Sequence, residues 1–448
     1  MKDTLVCSEV CPHVPGLELP PLPPADLEVA ADPRLNLRDV SKAYHARVRA
    51  ELAKLYAVEE SGRAVVELYT HCIDRLIRYL FDAATRLYAR RYPKLHQRCA
   101  VFAQGGYGRG ELNFYSDIDL LFLYHWKITP YVETVHETIM NNLWDAGFTT
   151  LPAVRNVREC VRLANQDLTV KTSLLDNRYL CGDEPLACEF TTALEREILG
   201  KYTERFFHDK AKESRERHQK NGESIYLLEP NLKEGQGGLR DLHTAGWLAK
   251  VKFKVRTLPE LITKGVISAH TLAEVEAARD FLWRVRNGLH LCAGSEQDQL
   301  SFEYQDQLAP AFGFVDVTSF MRHYYLHATT LYTFAQTMIE RCLETPRFYN
   351  FIGRPRGREI REGVRILDGT LSVTKAEILT EEPLNLVTVF HDMQRHQVRL
   401  ASETKQLMRD ALASLPAEVA ATSALRDAFL TILNWKQRVA PTLREMHA

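Results

Sequence analysis

The segment Gly105–Tyr124, GGYGRGELNFYSDIDLLFLY, sets the tightest limit on what this chain can fold into. Its last seven residues are apolar at nearly every position, so the strand they predict needs cover on both faces and a central place in its sheet. Asp117 and Asp119 stand at the head of that strand. Residues two apart on a strand share a face, with Cα atoms roughly 6.5 Å apart. Two carboxylates therefore converge at one end of a rigid element. Burying like charges is costly unless something positive sits between them. Two oxygen ligands so placed suit a hard divalent ion such as Mg2+, which usually completes its shell with water and substrate phosphates.

The preceding turn fits the same chemistry. CAVFAQ predicts a short buried strand that ends at Gly105 and Gly106, where backbone N–H groups can approach an anion closely. Arg109 is a natural charge for a phosphate, and Ser116 can hydrogen-bond the same group. A lone D-x-D is commonly a solvated strand end, and this turn matches neither G-x-x-x-x-G-K-[ST] nor G-x-G-x-x-G. The order is what carries the signal: strand, double glycine, short spacer, then D-x-D on a second apolar strand.

That order resembles the signature of the polymerase β-like nucleotidyltransferase superfamily. The resemblance implies a nucleoside triphosphate against the glycine turn, metal ions on Asp117 and Asp119, and a third carboxylate on a neighbouring strand. Asp176, in TSLLDNRYLCGD, is the candidate for the third metal-binding and catalytic carboxylate, with Asp167 as rival. The full string is similar to the active-site segment of the bacterial PII uridylyltransferase family. LLEPNLKEGQGGLRDLHTAGWLAK (Leu227–Lys250) and FLWRVRNGLHLCAGSEQDQLSFEYQDQLA, with FMRHYYLHA downstream, agree with it in the same order. Membership implies UMP transfer from UTP to a tyrosine of a PII-type signal protein, with Mg2+ as cofactor. The glutamine synthetase adenylyltransferase shares a similar first motif without the second segment. A nucleotide-binding regulatory protein without turnover is a further alternative, against which the paired carboxylates argue. In the second segment Gly235, Gly237 and Gly238 form a turn flanked by Lys233 and Arg240. Lys233 is placed to close over the triphosphate, the competing reading being a tight turn with solvated charges.

Along the chain the expected class is α+β: a small mixed-sheet nucleotidyltransferase domain followed by mostly helical domains. A Pro-rich leader (1–36) precedes the nucleotidyltransferase domain and its N-terminal helices (37–198). A helical domain (199–345), then a linker and C-terminal helices (346–448), follow. Cys7, Cys11 and His13 in the leader are read as part of a flexible tail. The family's full-length enzymes continue into HD phosphohydrolase and ACT domains, and the expectation is that this sequence stops at LREMHA, about where the HD domain would begin, as either a short family member or an N-terminal portion. His391-Asp392 is read as a chance pair on an amphipathic helix, and Arg286 and His290 as core residues of the helical domain. The formal net charge of −1 counts against nucleic acid as partner. Nine cysteines scattered singly suit a reduced, cytoplasmic protein, and no run reaches the roughly 18 apolar residues of a membrane span.

Overall fold

The computed structural model describes residues 22, 33–58, 61–92, 98–343, 358–367, 370–416 and 422–447. Cys7, Cys11 and His13 lie outside them. The chain divides into two compact units, Met1–Arg256 with Val275–Ala335, and Thr257–Glu274 with Gln336–Ala448.

The first unit is built on β1 (Cys99–Ala103), β2 (Ile118–Tyr124), β3 (Thr150–Asn156) and β4 (Arg178–Gly182), in the order β3-β2-β1-β4. β1 runs antiparallel to β2 and β4, and β2 parallel to β3. As its composition predicts, β2 is central and its two faces feed two cores. Leu120, Phe122 and Tyr124 pack with Val101 and Ala103 against α1 (Pro33–Val58) and α2 (Gly62–Arg91). Leu121 and Leu123 pack with Ala100 and Phe102 in a second core shared with Cys160, Leu174 and Phe190. Asp119 is on the face of Leu121, since alternate strand residues share a side.

Between β1 and β2 the glycine turn forms one helical turn, α3 (Gly105–Gly108). α4 (Pro130–Asp145) starts at Thr129, whose side chain accepts from the Val132 N–H, and stops where Gly147 adopts φ +86, the left-handed stop that glycine supplies cheaply. α5 (Val157–Ala164) and α6 (Leu168–Leu175) follow β3, and α7 (Glu184–Ala193) follows β4. SLLDNRYL thus contains both a helix end and a strand start, with Asp176 between them.

The helical segment, apart from Thr257–Glu274 and the stretch from Gln336, belongs to the same unit. Asp280 accepts the Ser61 hydroxyl at 3.0 Å and the Arg63 N–H at 2.7 Å, capping the exposed amides of α2. α8 (Thr203–Lys220) and α9 (Leu239–Phe253) pack on each other, and α9 borders the glycine turn.

The second unit corrects an expectation. The start of the expected linker lies outside the described residues; beside the expected C-terminal helices, β5 (Arg358–Arg361), β6 (Val364–Leu367), β7 (Thr370–Val373) and β8 (Arg399–Leu400) form a second four-stranded sheet. Val364, Leu371 and Val373 meet Val389 and Met393 of the helix Asn385–His396 in its core. These strands are two to four residues long, too short for a clear period of two. No described helix is long and apolar enough to cross a membrane.

His45, on α1, sits neutral in the first core. Its Nδ1–H donates to the Ala146 carbonyl at 2.9 Å, and Nε2 accepts from the Tyr69 hydroxyl at 3.2 Å. Burial, with help from nearby Arg49, lowers its pKa to about 4. The unfolded chain then takes the proton first, at its ordinary value near 6.5. This contribution to stability is complete above that pH and is lost as pH falls towards 4, by an amount on the order of 3 kcal/mol. Unfolding free energies measured from pH 7.5 to 4.5 should fall steeply for the wild type. They should fall less steeply for His45→Gln, and identical slopes would remove His45 as a cause.

Candidate active site

The head of β2 opens into a cavity of about 490 Å³ lined by Gly105, Gly106, Arg109, Ser116, Asp117, Asp119, Asp176 and Lys233 among others. All eight sequence candidates are therefore brought together. The Gln104 N–H donates to the Asp119 carbonyl at 2.9 Å, fixing the end of β1 against the carboxylate-bearing residue. Gly105 is required twice over. It has φ +57, and a Cβ there would lie 2.4 Å from Asp119 Oδ2. Gly106 is different: the nearest atoms to a Cβ would be Arg109 Nη2 and the Glu111 carbonyl oxygen, both at 3.8 Å, so its lack of a side chain serves open space rather than packing.

Asp117 and Asp119 have no hydrogen bond or ion pair to their side chains among the described residues. Burial and the neighbouring charge of Asp117 raise the Asp119 pKa to about 6, against the opposing pull of Arg109, Lys233 and Arg240. Burial and Glu296 likewise raise that of Asp117, opposed by Lys233 and Arg286. Two desolvated like charges with only distant cations fit a divalent ion, and this donor set is hard oxygen throughout.

Lys233 lines the cavity, with its Nζ 3.3 Å from Glu296 and 3.8 Å from Asp298. The glycines behind it serve packing instead. Gly237 has φ +75, a Cβ there would come within 2.2 Å of the Ala328 carbonyl oxygen, and its N–H donates to Asp241. Ser116 accepts from the Asn113 N–H at 3.2 Å, which shapes the loop before the aspartates. Arg286 and His290, expected to serve only the helical core, hold this loop too. Arg286 donates to Asn113 at 2.9 Å and to Asp298 at 2.6 Å, and His290 Nδ1 accepts from the Tyr115 N–H.

Asp176 is placed differently from the third metal carboxylate expected of it. It caps the C-terminus of α6, its side chain is 1% exposed, and both oxygens are taken. Oδ2 accepts from Arg109 Nη1 and Trp247 Nε1, each at 2.6 Å, and Oδ1 from Lys250 Nζ at 2.7 Å. Burial alone would raise its pKa, but Lys250 and Arg109 outweigh it and hold the carboxyl below its usual value. A carboxylate so engaged has little left for a metal. Its rival Asp167 caps the N-terminus of α6 through the Val170 N–H and does not line the cavity. Neither neighbour of β2, β1 or β3, carries a carboxylate, and Leu151 of β3 stands opposite Asp119. Sequence reading missed Glu111, His243, Trp247 and Lys250 as site residues. Apart from the Arg109–Glu111 contact, their partners are distant in sequence, and no local spacing marks them.

His391 and Asp392 show no joint site. His391 meets the Trp435 ring edge-on, and Asp392 pairs with Arg361 at 2.8 Å.

A family model for the GlnD PII-uridylyltransferase matches residues 205–339, and one for the uridylyltransferase GlnD third domain matches 365–448. Among curated proteins, the bifunctional uridylyltransferase/uridylyl-removing enzyme of Bradyrhizobium diazoefficiens is 35% identical over 400 residues, covering 85% of this chain and 43% of that protein. The protein of the same description from Rhodopseudomonas palustris is 32% identical over 432 residues, covering 92% and 46%.

The chain belongs to the GlnD uridylyltransferase family.

It spans less than half the length of these curated relatives. The family model for glutamate-ammonia ligase adenylyltransferase matches residues 26–146, the stretch that contains the glycine turn and both aspartates, so the first motif is common ground between the two families.

The glycine geometry predicts opposite outcomes for one substitution at two positions. Gly237→Ala should lower the melting temperature by several degrees, because backbone strain and a clash with Ala328 combine. Gly106→Ala should leave it within about a degree while weakening the binding of any phosphate that approaches the turn. Thermal unfolding with and without inorganic tripolyphosphate reads both.

Proposed function

We propose that this chain is a metal-dependent nucleotidyltransferase that moves UMP from UTP to a tyrosine of a PII-type signal protein. The observation that carries the reading is the unpaired Asp117–Asp119 couple beside an open glycine turn and a ring of cations. Asp117 and Asp119 would hold the ion, with Mg2+ the proposed metal. A bound divalent ion supplies Lewis acidity to phosphate oxygens and lowers the pKa of an acceptor hydroxyl.

The chain's own residues do the rest. Gly105 and Gly106 keep the floor clear for phosphate oxygens, and Lys233, Arg240 and Arg286 supply charge around the carboxylates. The acceptor phenol oxygen bonds to the α-phosphorus while the bond from that phosphorus to the α,β-bridging oxygen breaks. Pyrophosphate leaves with the bonding electrons and the phenolic proton passes to solvent. Because β3 offers no carboxylate, the two aspartates of β2 are the metal-binding set in this proposal, and Asp176 is not carried into it. Cytoplasmic location belongs to the same proposal.

The match to the adenylyltransferase family model over 26–146 favours a second reading, AMP transfer from ATP to glutamine synthetase. Incubation of the purified chain with each labelled nucleoside triphosphate, plus either acceptor protein, decides between them. UMP on the PII-type protein is the expected product, and AMP on glutamine synthetase would establish the second reading. Asp119→Asn should cost at least a hundredfold in turnover, since the metal's electrostatic help is worth several kcal/mol and each ~1.4 kcal/mol is a factor of ten. Near-normal turnover by that variant would move the metal site elsewhere.

A further inference from the structure

We infer that Glu111 and Asp176 form a two-carboxylate clamp that aims the Arg109 guanidinium into the nucleotide cavity, and that α9 sets the clamp through His243, Trp247 and Lys250. The inference rests on the nucleotidyl-transfer reading and gives Asp176 a positioning role in place of metal ligation.

The geometry is specific. Arg109 Nε donates to Glu111 Oε2 at 2.7 Å, and Nη1 donates to Asp176 Oδ2 at 2.6 Å. The third nitrogen, Nη2, faces the glycine turn, lying 3.8 Å from the position a Gly106 Cβ would take, as close as the Glu111 carbonyl oxygen. Two carboxylates on two edges of a planar fork fix its rotation, which a single ion pair would not. Each clamp arm is held in turn from α9. His243 Nε2 donates to Glu111 Oε2 at 3.1 Å, while Trp247 and Lys250 donate to Asp176.

The charge states suit a fixed device. Burial and the nearby Arg109 charge lower the His243 pKa to about 4, so the ring is neutral and donates one proton to Glu111. Burial opposes ionisation of Glu111, but Arg109 and His243 hold its carboxyl well below the ordinary range. Both arms are therefore charged across the working pH range. The positive charge of Arg109 also reaches Asp119, which puts the clamp beside the reacting phosphate rather than in a remote core. α9 thereby completes the phosphate site from a different part of the chain.

A double-mutant cycle on the full chain tests this, with Mn2+ binding followed by electron paramagnetic resonance and UTP binding by calorimetry. Asp176→Asn should weaken UTP binding about tenfold and leave Mn2+ binding without nucleotide within twofold. In an Arg109→Ala background the same substitution should change UTP affinity by less than twofold, because its effect passes through Arg109. Trp247→Phe keeps the ring and removes only the N–H donor. It should reproduce part of the loss, and it keeps the test open if Asp176→Asn does not fold. Loss of Mn2+ affinity in Asp176→Asn would restore its metal-ligand role and overturn the clamp. So would equal UTP affinity in wild type, Asp176→Asn and Trp247→Phe, or additive losses in the double variant. A wild type that binds Mn2+ but no UTP would overturn the nucleotide reading, and the clamp with it.

Discussion

Two carboxylates two residues apart at the head of a buried strand, without a counter-charge in contact, govern how the first unit is built. Asp119 on β2 and Asp117 just before it both line the cavity, and the apolar run behind them forbids that strand from leaving the middle of the sheet. Gly105 suits this pair, since it adopts φ +57 and a Cβ there would lie 2.4 Å from Asp119 Oδ2. The loop before the pair is held by Arg286, which reaches Asn113 and Asp298 at once. Such a pair lowers stability unless something fills the space between the charges, which is the usual mark of a site kept for function rather than for folding.

The cations around the pair are arranged with equal economy. Lys233 and Arg286 share the carboxylates of Glu296 and Asp298, and Arg240 stands beside Glu234. Paired in this way they can line a cavity without repelling one another, and each retains hydrogen-bonding capacity for a phosphate. All three belong to the helical segment, while the aspartates and glycines belong to the sheet. Both are parts of one compact unit, and the cavity is made where they meet.

Much of this was legible in the sequence because the signals are local. Strand, glycine turn and D-x-D lie within one stretch, and the apolar run of β2 announces its central place. Lys233 was legible through its motif. The position of Asp176 was not, because its nearest neighbours in sequence suggest a strand head while its partners lie 67 and 74 positions away. Apolar flanks and a following arginine describe a buried carboxylate equally well whether it binds a metal or orients an arginine. Arg286 and His290 were read as core for a similar reason: helical periodicity reports burial, not which loop a buried polar group holds. The second sheet escaped because four strands of two to four residues, with charges at alternate positions in REIR, leave almost no periodic record.

The most direct measurement of the central claim is the stability of wild type and Asp119→Asn with and without ligands. If the two aspartates are an uncompensated pair waiting for a metal and a triphosphate, Asp119→Asn should unfold at a higher temperature than wild type in metal-free buffer at pH 7.5. Adding Mg2+ and UTP should reverse the order, because only the wild type gains binding free energy. A variant less stable than wild type without metal, or one stabilised by Mg2+ and UTP as much as wild type, would contradict the account.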